Sequence, residues 1–160
     1  MRKIMKKIII AALLICSVVA FSGFAFASEH ATKDECITMC KKAAAMVAEK
    51  GLDATLKAVA DKTGPFVWKD TYVFALDPVT GGTLAHPMKP GLVGKDLMGL
   101  KDINGVMIFV EFLNIAKSDS GEGWVSYMWP KPGEKKPSKK ASYIHYTKGQ
   151  KASFGAGVYE

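Results

Sequence analysis

Tyr72-Val73-Phe74-Ala75-Leu76, then Asp77-Pro78, then Gly81-Gly82, then Thr83-Leu84-Ala85-His86, is the stretch on which the fold turns. Its first five residues are apolar, β-branched or aromatic, and Asp70 and Asp77-Pro78 bound them, which reads as a strand. Gly81-Gly82 supplies the conformational freedom a reversal needs, so Thr83 to His86 returns as a hairpin partner and stops at Pro87 and Pro90. An antiparallel pair this short needs further strands and a helical cover.

Those are found by working outward. Toward the C-terminus, Asp96 to Lys101 reads as a short helical turn. Gly105 to Lys117 carries Ile108, Phe109, Phe112, Leu113 and Ala116 at helical period. Gly121-Glu122-Gly123 opens a strand that runs through Trp129, a lysine-rich hairpin loop follows, and Ser138 to Thr147 and Ala152 to Tyr159 close the sheet. Toward the N-terminus, a helix begins at Thr32 or Asp34 and shows Ile37, Cys40, Ala44 and Val47 on one face. Gly51 punctuates it, Leu52 to Ala60 makes a second helix, and Gly64-Pro65 ends the helical part. The expectation is an α+β domain: an antiparallel sheet of about five strands behind a long N-terminal helix.

Before that helix, Arg2, Lys3, Lys6 and Lys7 precede an uncharged apolar run from Ile8 to Ala20, and Ala25-x-Ala27 presents small residues at a cleavage site. Residues 1–27 read as a signal peptide cut after Ala27, leaving a 28–160 domain outside the cytoplasm, periplasmic or secreted. An uncleaved anchor is the competing reading, since Ile8 to Ala27 is just long enough to span a bilayer, but Ser22-Gly23 and the Ala-x-Ala end argue against it. Cys16 is no lipoprotein site, because Ile15 precedes it where a small residue is required. The full 160 residues carry 22 basic and 15 acidic side chains; four of the basic ones lie in the signal, so the remainder holds 18 against 15. The basic excess thus largely leaves with the signal. Lys131, Lys135, Lys136, Lys139 and Lys140 crowd one Pro-rich stretch without the aromatic or arginine pattern of a nucleic-acid surface, and nucleic-acid binding is set aside.

No catalytic constellation is present: no nucleophile elbow, zinc-protease helix, phosphate loop, dinucleotide fingerprint or close carboxylate pair. No enzymatic activity, metal or cofactor is expected. Cys36 and Cys40 share one helix face at a Cα separation of about 6 Å, within disulfide reach. They read either as a disulfide, suited to an oxidising compartment, or as two small buried residues. The more informative set is His86 at a strand end, Trp124, Tyr127 and Trp129 on the strand opened by Gly121, and Lys140 and Tyr143 on the next. Rings, an imidazole and an ammonium together suit a pocket for a small anion, although aromatic residues on strands also serve simply as core.

The order Tyr72 to Asp77, Gly81 or Gly82, Leu84-Ala85-His86-Pro87, Gly91-Leu92-Val93-Gly94-Lys95-Asp96 and Leu100 to Gly105 resembles the single-Cache sensor domains, PAS-like modules of bacterial chemoreceptors and sensor histidine kinases. The likeness continues in Gly121 to Pro130, in Lys140-Ala141-Ser142-Tyr143 and in Gly155 to Tyr159. The resemblance implies a PAS-like sheet with a pocket on its face and a small organic acid, of the acetate, propionate, pyruvate or lactate type, as ligand, for signal transduction or chemotaxis. It makes His86, Tyr127, Trp129, Lys140 and Tyr143 the pocket residues, with Tyr72 and Phe74 in its wall and Trp124 or Trp129 against the methyl end. Lys140 would take the carboxylate, and Tyr127 or Tyr143 would donate to the same group. Adjacent strand residues face opposite ways, so only one of Lys139 and Lys140 points inward. Receptors of this type continue into a membrane helix and a cytoplasmic transmitter, whereas this sequence stops at Glu160. The expectation is therefore a sensor subunit, free or presenting its ligand to a membrane receptor or histidine kinase, with a homodimer through the N-terminal helix as a further reading. Two other functions stand beside it: a redox-linked or accessory protein using Cys36 and Cys40, and an interaction module whose aromatic set is only core.

Overall fold

The computed structural model describes residues 28–160. The signal peptide expected over residues 1–27, with Cys16 in it, lies outside the described residues.

Helix α1 spans Lys33–Lys50 and starts where its capping chemistry dictates. The Thr32 hydroxyl accepts the Glu35 amide N–H at 3.2 Å while the Glu35 carboxylate accepts that of Thr32 at 2.8 Å, a reciprocal box that satisfies two otherwise orphan donors. Of the two expected caps, Thr32 is the one used. Gly51, at φ 85°, lets the chain leave α1 and enter α2, Leu52–Ala60. The strands are β1 (Val67–Trp68), β2 (Thr71–Leu76), β3 (Thr83–Ala85), β4 (Glu122–Pro130), β5 (Pro137–His145) and β6 (Ser153–Tyr159), and helix α3, Ile108–Lys117, crosses between β3 and β4.

The sheet is antiparallel in the order β1-β2-β6-β5-β4, with β3 paired to β2 as the hairpin reading required. It has six strands because the two-residue β1 adds to the five that were expected. The helical turn expected over Asp96 to Lys101 does not form. The Asp96 carboxylate instead accepts the Met98 N–H at 3.0 Å, and Leu100 N–H reaches Leu97 C=O at 2.9 Å, a side-chain-nucleated turn that competes with helix. The short helical piece lies earlier, as a 3-10 turn over Pro90–Leu92.

Both faces of the sheet are covered. Against one face α1 and α2 bury Cys36, Cys40, Ala43, Ala44 and Val59 on Val73, Ala75, Phe154 and Ala156. Against the other α3 buries Ile108, Phe109 and Phe112 on Tyr72, Phe74, Leu76, Tyr127 and Ile144. Strand β2 is buried at every position because its alternating side chains feed both layers. That alternation decides which residues can share a site.

Candidate functional site

The site lies on the α3 face. Tyr72, Phe74 and Leu76 project from β2, Thr83 from β3, Tyr127 and Trp129 from β4, and Ile108, Phe109 and Phe112 descend from α3; His86, just past β3, completes the wall. The free space between them is about 10 Å³. It is narrow, with room for the centre of roughly one water molecule.

The rings set its shape. His86 lies 4.8 Å from the Tyr72 ring, stacks on Phe74 at 6.0 Å and faces Trp129 at 6.4 Å between centroids. Tyr127 meets Phe112 edge-on at 5.3 Å and Trp129 edge-on at 6.0 Å, arrangements that ring quadrupoles favour. The polar edges are then tied off. Trp129 Nε1–H donates to the Tyr72 hydroxyl at 3.1 Å, and the Tyr127 and Ser142 hydroxyls pair at 2.9 Å.

His86 is 5% exposed, and burial, with the nearby Lys140 and Lys89 charges, depresses its pKa to about 3. The ring is neutral, and its Nδ1 accepts the Lys89 N–H at 3.1 Å. Its proton therefore sits on Nε2, which is left as a donor. Burial, then the nearby Tyr72, pushes the Tyr127 phenol upward, so that it stays protonated and able to donate.

Lys140 is fully buried, whereas Lys139 is exposed and pairs with Glu160. The register explains it: Tyr127 faces Lys140 across β4 and β5, so both project to the α3 side. The Lys140 ammonium lies 4.1 Å above the Tyr72 ring and 4.7 Å from that of Tyr159, and it has no hydrogen-bond partner among the described residues. It is not itself in the cavity wall but rests on Tyr72, which is. The Thr83 hydroxyl, in the wall and buried, is likewise without a partner among the described residues. Gly157 of β6 makes space for the Lys140 stem: a Cβ there would lie 2.9 Å from Lys140 Cε, 2.5 Å from the Ala141 carbonyl and against the Ser142 hydroxyl.

The structure divides the residues expected to share the pocket. Tyr72, Phe74, His86, Tyr127 and Trp129 line it together and Lys140 adjoins it. Trp124 and Tyr143 do not belong: they pair across β4 and β5 on the opposite face, with ring centroids 5.5 Å apart, beside α1. There the Tyr143 hydroxyl donates to the Glu122 carboxylate, which His145 Nδ1 and Lys41 Nζ also approach at 3.2 and 3.4 Å, while Lys33 lies over the Trp124 ring. The correction is one of parity. Trp124 stands an odd number of residues from Tyr127, and Tyr143 from Lys140, so strand alternation turns them away. Thr83, Ser142 and Tyr159 were missed. For Ser142 the signal was available, two residues from Lys140; Thr83 and Tyr159 needed the pairing of β3 and β6.

The disulfide alternative for Cys36 and Cys40 is not taken up. Both are free thiols, completely buried between α1 and the sheet, and the Cys40 thiol approaches the Tyr143 carbonyl at 3.9 Å. Burial raises the Cys36 pKa to about 12 and that of Cys40 well above its ordinary value, which makes both poor nucleophiles. No group of three metal-ligating side chains occurs among the described residues.

An antiparallel sheet with a long helix on one face and a small aromatic cavity under a crossing helix on the other is the build of a PAS-like ligand-binding sensor module. The chain belongs to the Cache domain family, whose model matches residues 30–160. It is 38% identical over 76 residues to the methyl-accepting chemotaxis protein McpP of Pseudomonas putida, a match that covers 48% of this chain and 14% of that receptor. Among solved structures, a methyl-accepting chemotaxis protein from Vibrio parahaemolyticus superposes with a TM-score of 0.65 at 26% identity, covering 79% of this chain and 87% of that one. A Cache chemosensory domain solved for the structural basis of its carboxylic acid recognition gives 0.61 at 29%, covering 76% and 84%. The periplasmic sensor domain of a chemotaxis protein gives 0.61 at 27%, covering 77% and 86%.

Proposed function

We propose that this chain is an exported sensor, released by cleavage after Ala27, that binds a short-chain carboxylate in the Tyr72–His86–Tyr127 cavity without transforming it. One observation carries the reading: the Lys140 ammonium is buried against the cavity wall with no acceptor among the described residues. An unpartnered buried cation is costly, and a bound carboxylate supplies the missing charge and acceptors. The Thr83 hydroxyl, the Tyr127 phenol and His86 Nε2–H are the neutral groups to orient it, and the aromatic walls suit a short alkyl end. A space for roughly one water molecule must widen to admit any short-chain acid, and acetate or propionate asks the least widening. The carboxylic acid recognised by one structural relative supports the same chemistry. Delivery of the loaded domain to a membrane receptor or histidine kinase, and pairing of two copies through α1, belong to this proposal.

Calorimetric titration with acetate, propionate, pyruvate and lactate tests it. At least one is expected to bind, and Lys140→Ala is expected to weaken it by about 2 kcal/mol, the usual worth of a charged hydrogen bond. Tyr143→Phe, on the far face, is expected to leave affinity unchanged. Failure of all four acids, or equal affinity in Lys140→Ala, overturns the assignment.

A further inference from the structure

We propose that a small anion enters the cavity past Trp129 and that Lys89 is the rim residue that draws it in, which rests on the carboxylate reading above. A cavity with room for roughly one water molecule cannot fill unless part of its wall moves. Every other lining residue is no more than 5% exposed, whereas Trp129 is half-buried, so the lining reaches solvent there. The topology explains this. Trp129 stands near the end of β4, an edge strand, with no further strand beyond it. Its indole is held by Nε1–H donation to the Tyr72 hydroxyl at 3.1 Å and by edge-on contact with Tyr127 at 6.0 Å between centroids. A side-chain rotation that breaks one hydrogen bond opens this wall. Opening through β2 would part strands paired on both sides, and opening through α3 would lift Ile108, Phe109 and Phe112 out of a core.

Lys89 sits on this gate. Its Nζ lies 5.0 Å from the centroid of the Trp129 ring, and its backbone N–H bonds His86 Nδ1 at 3.1 Å, so the cation is tied to the cavity wall at two points. Lys89 is half-buried and forms no ion pair among the described residues. The acids around β4 and its hairpin are engaged elsewhere. The Asp102 carboxylate accepts the Asn104, Val106 and Met128 N–H groups, Glu160 pairs with Lys139, and Glu134 stands in the hairpin tip among Lys131, Lys135 and Lys136. None of the three comes within ion-pair distance of Lys89. The charges that bear on His86, inside the gate, are Lys140 and Lys89, both positive. An anion at the mouth therefore meets Lys89 first, and reaches the Lys140 side once the indole turns aside. A charge at a rim acts chiefly on the rate of encounter, and a buried one on release.

Two measurements test this, one of them without any acid. Trp68→Phe/Trp124→Phe leaves Trp129 as the only tryptophan, and its fluorescence is quenched with iodide and with acrylamide at about 0.15 M ionic strength. A unit charge ~5 Å away, screened over ~8 Å, changes the local iodide concentration about twofold. Lys89→Gln is therefore expected to halve quenching by iodide, to leave quenching by neutral acrylamide unchanged, and to be rescued by Lys89→Arg. Lys42→Gln, exposed on α1 across the sheet, is expected to change neither. For the route, Lys89→Cys is labelled with a bulky maleimide, which the buried Cys36 and Cys40 do not meet, and exchange of acetate or propionate is followed by stopped flow. The label is expected to slow release as well as association, whereas Lys89→Gln slows association alone and the same label on Lys42→Cys slows neither. Equal iodide quenching in the parent and Lys89→Gln, or release unchanged by the label at 89, overturns the proposal. If no acid binds while the iodide difference holds, the carboxylate reading fails and the anion gate at Trp129 stands.

Discussion

Gly157→Ala is the sharpest single-residue test of how β5 and β6 approach. The added methyl would stand 2.5 Å from the Ala141 carbonyl oxygen and 2.9 Å from Lys140 Cε, and would press on the Ser142 hydroxyl. A carbonyl in a paired strand cannot swing aside as a side-chain end can, so the two strands must part at the Ser142–Gly157 pair. Overpacking of this kind costs about 1–3 kcal/mol, and the entropy an alanine saves in the unfolded chain returns roughly 0.4–1 kcal/mol. A net loss of about 1–2 kcal/mol corresponds to a melting temperature lower by about 4–8 °C for a domain of this size. Gly123→Ala is the internal control: it lies on the same face of the sheet, but its methyl would meet only the Ile115 side chain, no closer than 3.3 Å. That variant is expected within about 1 kcal/mol of the wild type. Thermal melts followed by circular dichroism at neutral pH decide it. Should Gly157→Ala melt with Gly123→Ala and the wild type, the close approach that shapes the floor beneath Lys140 is wrong.

Two further outcomes are expected. With His86 held near 3 in the folded protein against an ordinary 6.5, only the unfolded chain takes up this proton between those values. Its contribution is fully present above pH 6.5 and is lost as pH falls toward 3, by about 1.4 kcal/mol per pH unit, or about 2 kcal/mol at pH 5. Urea midpoints at pH 7.5 and 5 should show that loss in the wild type and much less of it in His86→Gln; equal losses would mean the imidazole is not buried neutral. The thiols of Cys36 and Cys40 should be silent to an aromatic disulfide reagent in the native protein and titrate as two equivalents in denaturant without reductant, whereas none titrating would restore the disulfide.

Much of the fold was legible because local signals agreed with one another. The Thr32 to Glu35 cap, the Gly51 break and the β2–β3 hairpin with its Gly81-Gly82 reversal are each specified within a few residues. The site was legible only in part. Tyr72, Phe74, His86, Tyr127 and Trp129 could be nominated as residue types, but their company depends on parity, and Trp124 and Tyr143 fail on that count alone. Applying alternation strictly from Lys140 would have excluded Tyr143 and found Ser142. Thr83, Tyr159 and the space left by Gly157 could not be found this way, since each depends on contact between strands far apart in the chain. The choice between Lys139 and Lys140 likewise needed the facing residue, Tyr127, to be known.

Strand β6, the final one, lies at the middle of the sheet between β2 and β5. The β2–β3 and β4–β5 hairpins can each form early, yet they remain separate halves until residues 153–159 are inserted between them. The joining of those two halves of the sheet therefore waits on β6, a non-local step that favours slower folding. A substitution that weakens β6 would therefore loosen both halves at once, whereas one at the edge strand β4 would touch only its own pairing with β5.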